Sequence, residues 1–303
     1  MTAEQWLLDS DPAIRWQVMR DLTDAPADAV AAERARVAKE GWGARLLALQ
    51  AENGQWGGGT LFPKMLATTS SLMLLRDFGL DPESEEARRA IALVRENSRW
   101  EHAGQPFFEG EVEPCINGRA VTLGAYFGEN VQGIVDRLLG EPMADGGWNC
   151  EQENGSTRGS FHSTICVLEG LLEHERAIGV TPRTTAARRR GEEYLLERRL
   201  MRRLSTGEII DPAFTRFSYP PDYFYDVLRA LDYFRSAGAE PDGRMSEAIE
   251  LVRARPDTAG RWPVENPHPG KLHFEIDAAE GQPSRWNTLR ALRVLRWYEK
   301  PRA

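Results

Sequence analysis

A chain of 303 residues that is 41% hydrophobic and 28% charged can bury a sizeable core under a well-solvated surface. Its formal net charge of −8 excludes the concentrated basic face of a nucleic-acid-binding protein. No apolar run approaches the roughly 18 residues of a membrane span, and "MTAEQWLLDSDPAIRW" is not a secretion leader, so a cytoplasmic protein without integral membrane association is expected.

Residues 1–40, with "WLLDSDPAIRWQVMRDL" and "ADAVAAERARVAKEG", read as a helical pair capping a main domain at 41–303. A glycine–tryptophan turn follows in "NGQWGGG" (Gly54, Trp56). Gly57–Gly59 and Lys64 lack the spacing of a phosphate loop and read as a flexible turn. Leu72, Leu75 and Phe78 then recur at helical spacing. "SEEARRAIALVREN" is a polar helix whose serine suits an N-cap.

The pattern repeats about every fifty residues. Trp100 in "NSRW" is a degenerate turn before Ala120, Leu123 and Tyr126. "DGGWN" (Gly146, Trp148) precedes Ile165, Leu168 and Leu171, and "AGRWP" (Gly260, Trp262) precedes Leu289, Leu292 and Leu295. A member without tryptophan falls near "LSTGE" (204–208), ahead of Leu228, Leu231 and Phe234. The arginines of 187–204 alternate with Glu192, Glu193 and Glu197 and predict a salt-bridged helix face. "MSEAIELVRAR" is a second polar helix opening on a serine. Strand alternation is nearly absent. Helical hairpins of this length stack as an open solenoid or close into a ring, and the closed ring with a central cavity is the expectation here.

"QAENGQW" carries a resemblance. Gln50, Gly54 and Trp56 fit the Gln-x-x-x-Gly-x-Trp repeat of the squalene cyclase and protein prenyltransferase superfamily, while the later turns keep only Gly-x-Trp. The resemblance extends over about residues 40–300. It implies an all-α fold, an α/α toroid of about six helical hairpins, in which glutamine and tryptophan tie outer helices to inner ones. It also implies a terpenoid cyclase- or prenyltransferase-like activity on a small or isoprenoid-like ligand. The Asp-x-Asp-Asp acid of the cyclases is absent. The nearest aspartate to Cys150 is Asp145, not the Asp-x-Cys of prenyltransferases, and Gln152 stands one residue too close for a Cys-x-x-Gln thioester. The two-cysteine, one-histidine zinc set of lanthionine-cyclase toroids is the nearest match in kind.

Three cysteines in a long chain are not a disulfide framework and read as reduced thiols or ligands. Cys115, Cys150 and His162 flank two inner-helix entries and make a candidate zinc set with an open position. The alternative is two small buried thiols and a histidine at a helix start. Cys166 belongs to an apolar stripe. Asp145 is a candidate fourth ligand, a candidate to orient His162, or a catalytic acid, and turn chemistry accounts for it equally. With Asp226, and with Glu113 and Glu275, it also admits a carboxylate-pair glycoside hydrolase or lyase. Tyr219, Tyr223 and Tyr225 are candidates, with Trp148, to line a substrate pocket; packing at a helix start accounts for the tyrosines equally. His268 and His273 lie in a long loop and are not expected to be ligands together. A non-catalytic ligand-binding or scaffold ring is the remaining class.

Overall fold

The apolar periodicity becomes helix throughout. In the computed structural model, which describes residues 1–300, the α-helices are α1 (Ala3–Leu8), α2 (Pro12–Asp21), α3 (Ala27–Ala35), α4 (Gly41–Leu47), α5 (Thr68–Phe78), α6 (Glu85–Asn97) and α7 (Pro114–Phe127). They continue as α8 (Gln132–Gly140), α9 (Phe161–Ile178), α10 (Pro182–Glu197), α11 (Val227–Ser236), α12 (Ser246–Arg253) and α13 (Arg285–Tyr298). Among the described residues β-structure is confined to isolated bridges, and no helix is long and apolar enough to cross a membrane.

Two compact units result. One joins Met1–Arg36 with Leu195–Pro269 and the chain from Phe274 onward; the other is Val37–Tyr194 with Gly270–His273. The second unit holds the first three turns. Trp56 donates through Nε1 to Leu46 O at the end of α4 (2.7 Å), and its backbone N–H donates to Thr68 Oγ1 at the start of α5 (3.1 Å). Trp148 repeats this with Leu138 O of α8 (2.9 Å) and Thr164 Oγ1 of α9 (3.0 Å). One tryptophan thereby adds a second bond to a carbonyl of a helix's last turn and registers the next helix against it. Gln50 donates to Gly54 O (2.9 Å) and to Ala90 O of α6 (3.0 Å), bracing the turn on a polar helix. Gly54 must be glycine: its φ is +80°, and a Cβ would stand 2.6 Å from the Leu93 backbone. Trp100 bonds forward instead, to Phe107 O (2.9 Å), and stacks on that ring.

In the first unit Trp262 repeats the pattern, with Val252 O of α12 (2.7 Å) and Thr288 Oγ1 of α13 (2.9 Å). The turn without tryptophan is also present: Arg202 and Ile209 bridge across it, as Trp148 and Ser160 do across theirs. The Tyr225 hydroxyl donates to Leu200 O beside it (2.6 Å).

The helix-start expectations divide. Ser84 caps α6 by accepting from Ala87 N, but Ser246 lies inside its helix, because a 3-10 turn capped by Asp242 leads directly into it. Leu72, Leu75, Leu123, Leu168, Leu228 and Leu289 are buried as expected, whereas in α13 the buried stripe runs through Trp286, Leu289 and Val294, leaving Leu292 and Leu295 half-buried. Arg188 pairs with Glu192 one turn along (2.5 Å), as the charge alternation of 187–204 predicts, and also with buried Glu175 of α9 (2.7 Å).

Candidate metal centre

Two glycines bring the site together. A Cβ on Gly118 of α7 would lie 2.4 Å from Cys166 O of α9, and one on Gly170 of α9 would lie 2.4 Å from Gly118 O. The helices therefore touch backbone to backbone. Cys115 in the first turn of α7 and Ser163 in the first turn of α9 both reach Cys150, so the two N-terminal ends lie together. Their aligned dipoles favour negative charge at that point.

The preceding loop is braced. Asn117 pairs with both the N–H and the carbonyl of Glu111, at 2.7 and 2.6 Å. Arg137 donates to Glu111 O (3.0 Å) and Val112 O (2.9 Å). The Glu111 carboxylate accepts from Glu113 N (3.2 Å). Glu113 stands at the N-cap of α7 but makes no side-chain cap bond; its carboxylate accepts from Cys115 Sγ at 3.5 Å. Cys150 arrives from the "DGGWN" turn, where Asn149 holds Ser156 and the carbonyl of Arg158 (2.8 and 2.7 Å).

The Sγ atoms of Cys115 and Cys150 are 2.8 Å apart, and Ser163 Oγ lies 3.2 Å from Cys150. That separation exceeds the roughly 2.05 Å of a disulfide, and both cysteines are free thiols. The hydrogen bond with Cys150, reinforced by burial, pushes the Cys115 thiol far up. The same bond with Cys115, and the bond to Ser163, bring the Cys150 thiol down against the effect of its own burial. One ligand atom each from Glu113, Cys115 and Cys150 lies within 4.8 Å of the others, a group that could hold a metal ion.

The donor set fits a thiophilic divalent ion such as zinc. Two thiolates on one tetrahedral zinc stand about 3.7 Å apart, given Zn–S near 2.3 Å. The sulfurs must therefore separate by about 1 Å on loading. Cys150 is half-buried on a short 3-10 turn, and Cys115 is buried in the first turn of α7.

His162 is not one of these three. It occupies the second position of α9, half-buried, and the next residue, Ser163, is the one whose hydroxyl lies 3.2 Å from Cys150 Sγ. Asp145 braces the turn: its carboxylate accepts from Gly159 N (3.1 Å) and Gly147 N (3.4 Å). Trp148 is fully buried. In the other unit, Asp226 caps α11 by accepting from Arg229 N (2.7 Å), buried with Arg290 4.0 Å away. Burial pushes its carboxyl up against the pull of that arginine. Tyr219 is half-buried and stacks on Trp286 at 4.2 Å, Tyr223 is half-buried, and Tyr225 packs on Phe214 in the core. Glu275 is exposed, His268 stacks on Phe224, and His273 Nε2 lies 3.0 Å from Ser71 Oγ. Cys166 is buried in α9, as its apolar stripe predicts.

The glycine contact makes a prediction. Gly118→Val should cost about 1–3 kcal/mol by forcing α7 off α9, since the obstructing atoms are backbone and cannot turn aside. Urea unfolding measures this cost. Metal affinity should fall in the same variant, because Cys115 moves with α7.

No family model matches the chain, and no curated protein matches it.

Proposed function

We propose that the chain is a zinc-dependent enzyme in which Glu113, Cys115 and Cys150 hold one ion and leave a fourth position for substrate. The observation that carries this reading is the convergence of those three donors at the joined N-terminal ends of α7 and α9. Three protein ligands with an open position is the arrangement of catalytic rather than structural zinc. Two thiolates and a carboxylate overbalance a divalent charge by one, which the two helix N-termini offset. Zinc held there supplies a position at which a substrate thiol or water loses its proton.

The scaffold in this proposal is the helical ring of the squalene cyclases and prenyltransferases. The bonds of Gln50, Trp56, Trp148 and Trp262 between successive helices support it, since they perform the tie that the repeat's resemblance implies. A transferase or cyclase acting on a small or isoprenoid-like substrate follows from the same likeness. In this chain Glu113 would orient the metal from the helix cap, and Ser163 would hold a hydrogen bond to the Cys150 sulfur.

The test is metal content. Protein purified without a metal-affinity step, or stripped with chelator and reloaded, should carry about one zinc per chain. Cobalt in its place should give a thiolate charge-transfer band. Cys115→Ala and Cys150→Ala should each weaken binding by at least a hundredfold, and Cys166→Ala should leave it unchanged. Failure to take up zinc at micromolar concentration, in a folded protein with intact thiols, would sink the proposal.

A further inference from the structure

We propose that Cys115 and Cys150 are a redox-active dithiol, closed to an intramolecular disulfide by a peroxide. The inference goes beyond the metal reading and does not depend on it, because each thiol needs only the other.

Three observations converge. The two sulfurs are 2.8 Å apart and need to close by about 0.8 Å to bond. Their access differs: Cys150 is half-buried on a short turn, whereas Cys115 is buried at the start of α7. An oxidant therefore meets Cys150 first, with a second thiol already in place behind it. Ser163 Oγ, 3.2 Å from the Cys150 sulfur, holds that sulfur beside its partner. Cys166, wholly buried in α9, is an internal control.

The chemistry balances. The Cys150 thiolate attacks one peroxide oxygen; the S–O bond forms, the O–O bond breaks, and the departing hydroxide takes up a proton to become water. The Cys115 sulfur then attacks the Cys150 sulfenic acid. The S–S bond forms, the S–O bond breaks, and hydroxide leaves with the Cys115 proton as a second water. Two thiols and one hydrogen peroxide give one disulfide and two waters; sulfur is oxidised by two electrons and peroxide reduced by two. The product contains neither thiolate, so oxidation also removes both sulfur ligands from the site.

The experiment uses the full chain, with zinc content measured beforehand, in two samples: as purified and after chelator. Each is treated with hydrogen peroxide, quenched, and its free thiols counted under denaturing conditions. The count should fall from three to one in at least one sample. Non-reducing peptide mapping should find a single link, Cys115 to Cys150, restored to thiols by dithiothreitol. In Cys115→Ala, Cys150 should stop at a sulfenic acid trapped by dimedone; in Cys150→Ala, Cys115 should keep its thiol over the same interval. A link confined to the chelated sample supports the dithiol and the metal together, and a link in a chain that binds no zinc supports the dithiol alone. Absence of the link in both samples, or an intermolecular disulfide in its place, overturns the proposal.

Discussion

Trp148→Ala is expected to destabilise the protein by about 3–5 kcal/mol, the usual cost of removing a large aromatic from a closed core. The indole is wholly buried, with α10 close on one side: a Cβ on Gly191 would stand 2.8 Å from its ring. Truncation leaves a void between α8, α9 and α10 and strips Leu138 O of its indole donor, leaving the 3.4 Å bond from Glu141 N. Trp148→Phe separates the two effects. It retains most of the apolar surface and loses the Nε1 bond, so about 1–2 kcal/mol should go with it. Urea midpoints at constant m measure both. The turn that carries Trp148 also delivers Cys150, so the alanine variant should weaken zinc uptake at temperatures where it remains folded.

The tryptophan turns were legible in the sequence because every requirement on them is local. A positive φ favours glycine, and an indole two residues later can reach back to the carbonyl ten positions upstream. Both conditions are visible in "NGQW", "DGGW" and "AGRW". The turn near 204–208 could be placed by period alone, although Arg202 and Ile209 hold it without an indole. Trp100 was harder to read, because its donor finds Phe107 O within its own loop.

The candidate site was legible by half. Cys115 stands at a helix entry and Cys150 in the turn before the next inner helix, and that topology was enough to bring them together. The third member was not. An α-helix advances about 100° per residue, so His162 leaves the helix about 100° away from Ser163, the residue that reaches Cys150, and it is not in the three-donor group. Glu113 was visible as a carboxylate at a helix end but not as a ligand. The signal lay in its place two residues before Cys115, at an N-cap where its side chain makes no cap bond. What could not be read at all was the backbone contact of Gly118 with Cys166, because nothing local distinguishes a glycine that admits another helix from one that merely bends its own.

Asp232→Asn in α11 should cost about 3–5 kcal/mol, comparable to truncating Trp148, through a different mechanism. Asp232 receives two bonds from Arg293 of α13, one at 2.9 Å through Nε, and a third from Arg235 at 2.8 Å; Arg290 lies 3.9 Å away. Burial alone would raise its carboxyl, but Arg293, Arg235 and Arg290 together hold it well below the ordinary carboxylate range. Asparagine nearly preserves the shape and removes the charge, leaving three guanidinium groups with one shared partner fewer. Asp21, 3.6 Å from Arg293, can compensate only in part. The pH dependence gives the sign. A carboxyl whose folded value is depressed stabilises the fold fully above its unfolded value near 3.8, and this stabilisation is lost as pH falls through the lower folded value. The wild-type advantage over Asp232→Asn should therefore hold level from pH 8 to about 5 and shrink only in stronger acid. Denaturant unfolding of the two proteins across that range measures it. An advantage already shrinking between pH 7 and 5 would mean that Asp232 is not held ionised by these arginines, and the cluster would then contribute packing rather than charge.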